Sequence, residues 1–252
     1  MVLHRIKQIM KSILTLDNVS FSYDNKLVID NISIDIHHNE IISIVGPSGC
    51  GKSTLLRLIS NLETQSSGVI KINQIEGEKS SLRYLFQDYD AFPWYKTIDN
   101  IRQSITNYSK IDDIGICQLL KKLGIWESRD KYPKELSVGM LKRLGLARCL
   151  IAKPSLLLLD EPFSALDIDT KQETYSILQD LQKEFHQTII MITHDLNEAI
   201  LLGKKVLVAS PLPFKIKSVF EIPFEYPRTP KIYANVEFQE LTNKIREKIS
   251  LN

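Results

Sequence analysis

Two runs in this chain are apolar at almost every position, and both end abruptly. Ile41-Ile42-Ser43-Ile44-Val45 runs into a glycine-rich turn, and Leu156-Leu157-Leu158-Leu159 runs into Asp160-Glu161-Pro162. Strand side chains alternate between faces, so a strand that is apolar throughout must be covered on both. A mostly parallel sheet layered between helices meets that condition, which places the chain in the α/β class. The remaining pattern agrees. Strands are predicted at 68–72, 82–86, 155–159, 188–192 and 204–209, and helices at 52–60, 168–185 and 195–202. Ahead of them, 14–21 and 27–36 read as antiparallel strands, with Ile32, Ile34 and Ile36 alternating with Ser33 and Asp35.

Between residues 88 and 151 strand formers thin out. Helical spacing appears over 97–108, 112–123 and 140–152, and this stretch reads as an inserted helical subdomain. A main domain is therefore expected over 12–210 and a C-terminal extension over 211–252. The extension holds Pro211, Pro213, Pro223, Pro227 and Pro230. It is predicted to wrap the surface and end in a helix over 237–249.

Bulk properties exclude several classes. A formal net charge of +2 in 252 residues leaves no electrostatic signature of a nucleic-acid binder. The three cysteines (Cys50, Cys117, Cys149) are odd in number and scattered, which fits a reducing compartment better than a disulfide framework. No run approaches the ~18 apolar residues of a membrane helix. The basic leader 1–12 lacks the apolar core and cleavage site of a signal peptide.

Chemistry concentrates at the ends of the predicted strands. Gly46-Pro47-Ser48-Gly49-Cys50-Gly51-Lys52-Ser53 fits the phosphate-loop pattern G-x-x-x-x-G-K-[ST], with a buried strand before it and a helix after it. Glycines let backbone N–H groups approach an anion, and the helix N-terminus adds partial positive charge. Lys52 is expected to reach the β- and γ-phosphates of a nucleoside triphosphate, Ser53 to ligate Mg²⁺, and Thr54 to help hold the α-phosphate. Cys50 stands at a variable position and reads as a free thiol near the nucleotide, without a catalytic role.

Ligands of open parallel sheets bind beyond the carboxyl ends of the strands. Asp160 is therefore expected beside the phosphate loop, holding Mg²⁺ through its water shell. Glu161 is the candidate general base that polarises the attacking water. His194, after Met191-Ile192-Thr193, falls on the same edge as a candidate γ-phosphate sensor. Gln87 closes Leu85-Phe86-Gln87 and could ligate Mg²⁺ or orient water.

Taken together these residues resemble the ATP-binding cassette (ABC) ATPases, over roughly 14–209. Gly46 to Thr54 is similar to their Walker A loop, Gln87 to the Q-loop and Leu136-Ser137-Val138-Gly139-Met140 to the signature. Leu156 to Glu161 resembles Walker B, Ser164-Ala165-Leu166-Asp167 the D-loop and His194 the switch histidine. Tyr23 sits where the family places an aromatic that stacks on adenine; core packing is an equal reading of that residue alone. The resemblance implies a P-loop NTPase (RecA-like) core with an N-terminal antiparallel β subdomain and an inserted α-helical subdomain. It also implies a head-to-tail homodimer with two ATP molecules at the interface. Each ATP would be gripped by one subunit's phosphate loop and by Ser137 and Gly139 of the other.

The signature departs from the usual L-S-G-G-Q. A β-branched Val138 implies an ordinary φ at that position, and activity is expected to survive at a lower rate. Asp88-Tyr89-Asp90-Ala91-Phe92-Pro93-Trp94, Tyr132-Pro133 and Pro227-Arg228 are similar to the nitrate, sulfonate and taurine importers. In that reading Tyr89, Phe92, Trp94 and Tyr95 form a groove for a membrane subunit; otherwise they are an aromatic core cluster. The importer resemblance implies integral membrane permease subunits, a separate solute-binding protein and a peripheral place on the cytoplasmic side of the membrane. Two rivals stand beside it: the ATPase of an exporter or lipid-transport complex, and a soluble ABC ATPase of DNA repair or translation. The stretch from Lys52 to Asp160 has no heptad run, which speaks against the repair enzymes, and a single cassette speaks against the translation factors.

Overall fold

A computed structural model describes residues 12–73, 81–87, 91–105, 113–164 and 166–250. In chain order the N-terminal half holds β1 (Ser12–Tyr23), β2 (Lys26–His37), β3 (Ile41–Val45), α1 (Lys52–Ile59), β4 (Ser67–Ile72) and β5 (Leu82–Leu85). Next come α2 (Thr97–Arg102), α3 (Asp113–Lys122), α4 (Val138–Leu150), β6 (Leu156–Asp160), α5 (Ile168–Phe185) and β7 (Thr188–Ile192). The chain closes with α6 (Leu196–Leu202), β8 (Lys205–Ala209), β9 (Ile216–Glu221) and α7 (Val236–Ser250).

Two sheets result. β2-β1-β4 is antiparallel, and the central sheet has the order β5-β6-β7-β3-β8-β9. Its first five strands are parallel. The four leucines of β6 divide by alternation, as a doubly covered strand requires. Leu157 and Leu159 join a core with α3, α4 and α5, whereas Leu156 and Leu158 join one with β1, β2 and α1. All five residues of β3, β6 and β7 are buried. The sheet topology puts the carboxyl ends of β3, β6 and β7 side by side, so residues 46, 161 and 193 start their loops on one edge.

Helices α2, α3 and α4 lie between β5 and β6 and share the first of those cores. α2 stops at Arg102, short of the predicted 108, because Ser104 and Ile105 N–H groups turn back to Ile101 and Arg102 carbonyls. Tyr108, Ala165 of the D-loop stretch, 88–90 and the leader 1–11 fall outside the described residues.

The tail differs from the expected surface wrap. Residues 216–221 pair antiparallel with β8 as the sixth strand of the central sheet. Its inward residues are Ile216, Ser218 and Phe220, with Val219 exposed, so the apolar alternation was too weak to read. α7 then buries Phe238 and Ile245 against β8 and α6. Arg228, 4% exposed, donates to the carbonyls of Ile200 and Gly203 at 2.7 Å, closing the end of α6. The sheet therefore continues past residue 210 into the extension.

Candidate functional site

A cavity of about 480 Å³ opens on the sheet edge described above. It gathers Tyr23, Lys26, Val28, Ser48, Gly49, Gly51, Lys52, Ser53, Thr54, Gln87, Glu161, Ile192, His194 and Leu212. The phosphate loop wraps one end. Gly51 has φ 110°, a left-handed geometry open to glycine, and a Cβ there would come within 3.2 Å of Phe214 Cβ and the Val28 carbonyl. Lys52 is 8% exposed and its ammonium donates to the carbonyls of Gly46 (2.9 Å) and Pro47 (2.7 Å). A buried cation thus sits over the turn, braced for an anion. Cys50 is buried, its Sγ 3.8 Å from Lys52 Nζ, and does not line the cavity.

Asp160 ends β6 close to Ser53. Burial pushes the Asp160 carboxyl above the ordinary aspartate range, opposed by the hydroxyls of Ser53 and Tyr84. The Tyr84 hydroxyl donates to Oδ2 at 3.2 Å, while Oδ1 is buried with no hydrogen-bond partner. An unpartnered carboxylate oxygen beside a serine hydroxyl suits a hard cation that takes most of its ligands from phosphate and water. The donor set fits Mg²⁺. Tyr84 holds the other carboxylate oxygen in place. Tyr84→Phe is expected to raise the Mg²⁺ concentration for half-maximal turnover by about 10-fold, as loss of a partner behind a metal ligand does. A Mg²⁺ titration of both proteins checks this; coincident curves would remove Tyr84 from the site.

Glu161 has φ 49°, a left-handed conformation costing a non-glycine residue roughly 1–2 kcal/mol. Its N–H donates to the Ile192 carbonyl at 3.0 Å, and its carbonyl accepts from Ser164 Oγ at 2.9 Å. These bonds turn its side chain into the cavity. Gln87 Nε2 donates to Glu161 Oε2 at 3.3 Å, and His194 Nδ1 lies 3.6 Å from the same oxygen. The chain on either side of His194 is pinned: the Thr193 hydroxyl donates to buried Glu198 at 2.5 Å and accepts from the Asp195 N–H at 3.1 Å. Three residues from three strand ends therefore converge on one point at the cavity mouth.

Ser137 and Gly139 are elsewhere. Ser137 is the N-cap of α4, its hydroxyl accepting from Met140 N at 3.3 Å, and neither residue lines the cavity. Ser137 and Val138 are exposed, and Val138 begins the helix with ordinary geometry. Of the aromatic loop, Phe92 stacks on Trp94 (5.7 Å) and meets Tyr95 edge-on (6.0 Å). Buried Asn100 bonds to the Phe92 N–H and to the carbonyls of Phe92, Tyr95 and Lys96, yet Trp94 is 66% exposed. This is a surface cluster on a rigid loop rather than core. Tyr89 lies outside the described residues.

Comparison with known proteins now decides the family. The ABC transporter family matches residues 29–164. The chain is 34% identical over 220 residues to the aliphatic sulfonates import ATP-binding protein SsuB of Bacillus subtilis, covering 86% of this chain and 85% of that one. It is 33% identical over 241 residues to an ATP-binding protein of Brucella abortus, covering 94% and 93%. This chain belongs to the ABC transporter family. Its fold is that of the P-loop NTPases, and it is an ABC-type ATP hydrolase. Among solved structures, an inward-facing ABC transporter assigned to the metal-chelate type matches at 26% identity with a TM-score of 0.70, covering 84% of each chain. A dimeric ATP-binding cassette bound to ADP and Pi has the same fold at TM-score 0.73, with 24% identity over 84% of this chain and 100% of that one.

Four residues of this ABC cassette were missed by sequence reasoning. Tyr84 reads as an unremarked strand residue, and only the β5–β6 register brings it to Asp160. Lys142, one turn into α4, donates through Nζ to the Gln87 carbonyl, tying the signature helix to the cavity. Lys26 and Leu212 reach the cavity from the β1–β2 turn and from the tail. No motif marks any of them.

Proposed function

We propose that this chain is the ATP-hydrolysing subunit of an importer, working as a head-to-tail homodimer on the cytoplasmic face of a membrane. The observation that carries the reading is the separation of two anion-ready elements on one protomer. The cavity holds the phosphate loop and Glu161, whereas the Ser137 cap and the amides that begin α4 face outward, away from it. A helix start with its cap exposed suits a γ-phosphate presented by a second copy. ATP then joins two surfaces, and its hydrolysis releases them.

In this reading Gly46, Ser48, Gly49, Gly51 and Thr54 cradle the polyphosphate, Lys52 neutralises it and Tyr23 receives the base. Ser53, Gln87 and Asp160 would hold Mg²⁺, which when bound would neutralise phosphate charge. Glu161 accepts a proton from the water that attacks the γ-phosphorus. Gln87 orients that water, and His194 contacts the γ-phosphoryl oxygens. Cys50 contributes its backbone alone.

Import is supported by the sulfonate-import names of relatives about one-third identical over most of the chain. Among the described residues no helix is long and apolar enough to cross a membrane, so integral permease subunits supply the path. The helical subdomain 88–151 docks on them through Phe92, Trp94 and Tyr95, whose exposed ring and braced loop suit an apolar partner helix. A solute-binding protein delivers a small anion of the sulfonate, taurine or nitrate kind. Nucleic acid plays no part.

Two measurements test the reading. Val138→Gly is expected to leave ATP affinity of the isolated protomer within about two-fold, a normal range for an exposed position, while changing the turnover of the dimer. A large loss of protomer affinity would return Ser137 to the cis site and sink the head-to-tail arrangement. Co-purification with the permease subunits separates transport from soluble roles.

A further inference from the structure

The tail loop between β8 and β9 touches both ends of the phosphate loop. Where β8 ends, Ala209 fills the space that a Cβ on Gly46 would need, the two atoms coming within 2.7 Å. At the far end Phe214, fully buried, lies behind Gly51. The loop is braced rather than slack. Ser210 Oγ donates to the Pro213 carbonyl (2.7 Å) and accepts from the Lys215 N–H (2.8 Å). Phe214 pairs in parallel with β2, its N–H donating to the Val28 carbonyl (2.7 Å) and its carbonyl accepting from the Asp30 N–H (3.0 Å). Lys215 and Asp30 add an ion pair at 2.7 Å.

Two residues before that pairing stands Leu212. It lines the cavity with Tyr23, Lys26 and Val28, and it is 38% exposed, close to the 39% of Tyr23. The exposed faces of Leu212 and the Tyr23 ring, with nearly buried Val28, thus line the cavity from β1, β2 and the tail. The phosphate loop, Gln87, Glu161 and His194 supply the polar remainder. An aliphatic side chain has nothing to offer phosphate, but it suits the flat apolar face of a nucleobase. The Tyr23 hydroxyl is engaged by Glu63 at 2.9 Å, which fixes its ring.

We infer that Leu212 is a nucleobase contact, so that the C-terminal tail forms part of the ATP site. The inference rests on the cavity being that site. Base and ribose enter between the Tyr23 ring and the tail loop, and Leu212 loses its exposure when they do.

The test compares ATP with tripolyphosphate, a probe that has the phosphates and no base, by displacement of a fluorescent nucleotide. Leu212→Ala is expected to weaken ATP binding about five-fold, the factor for losing roughly half of a leucine's apolar contact. Tripolyphosphate affinity stays within about two-fold, and Leu212→Met restores ATP affinity because methionine keeps the apolar volume. Unchanged ATP affinity in Leu212→Ala overturns the contact. Equal losses for both probes overturn it too, since the loop then only props the phosphate loop. A wild-type protein that binds neither probe overturns the nucleotide site itself, a distinct failure.

Discussion

Glu161→Gln is expected to cut ATP hydrolysis by about 10²–10⁴-fold, the usual worth of a positioned general base, while ATP still binds. Glutamine keeps the shape of the side chain but cannot take the proton of the attacking water. The surroundings change little. The left-handed backbone at residue 161 is held by the Ile192 and Ser164 bonds, which do not involve the side chain. Gln87 Nε2 retains an acceptor, because the glutamine carbonyl can stand where Oε2 stood. With binding intact and cleavage slowed, the nucleotide-bound dimer should accumulate. Light scattering with Mg²⁺ and ATP should report twice the protomer mass, and phosphate release should report the slow step. Turnover at the wild-type rate would falsify the assignment of Glu161 as base.

Lys52→Ala should act earlier, on binding. The ammonium is the buried cation of the cradle, already turned over the loop by its bonds to Gly46 and Pro47. Charge-assisted hydrogen bonds are worth about 1.5–3 kcal/mol each, so losing those to two phosphates weakens ATP affinity by roughly 100-fold or more. Fold stability should suffer less, since residues 46 and 47 are only half-buried and their carbonyls can turn to water. Equilibrium binding of a fluorescent ATP analogue, with thermal unfolding alongside, separates the two effects. Near-normal affinity in a folded variant would mean that the loop binds phosphate through its backbone alone.

The two variants separate the halves of the site, binding from cleavage. They also bear on a physical coupling that motifs do not record. The Lys142 bond to the Gln87 carbonyl joins the start of the signature helix to a residue that touches Glu161.

Much of this was legible in the chain itself. Nearly unbroken apolar runs at 41–45 and 156–159 demanded a sheet covered on both faces, and alternation sends neighbouring leucines into separate cores. Helix 168–185 and strand 188–192 were bounded to the residue, and in the structure Asp167 caps the start of that helix. That the phosphate loop, Asp160, Glu161 and His194 share one edge was readable because each ends or follows a strand, and strand ends in a parallel sheet lie side by side. β9 was not, since two of its three inward residues are all the apolar signal it has and prolines surround it.

Local order along the backbone was thus settled by residue type and spacing, for those are properties of neighbours in the chain. Distances between remote segments are set by sheet register and by how loops pack, and only the folded molecule decides them. That is why Tyr84 at Asp160, Lys142 at Gln87 and Leu212 at the cavity that Tyr23 also lines emerged from the tertiary structure alone. Each is an ordinary residue whose role comes from what the fold places next to it.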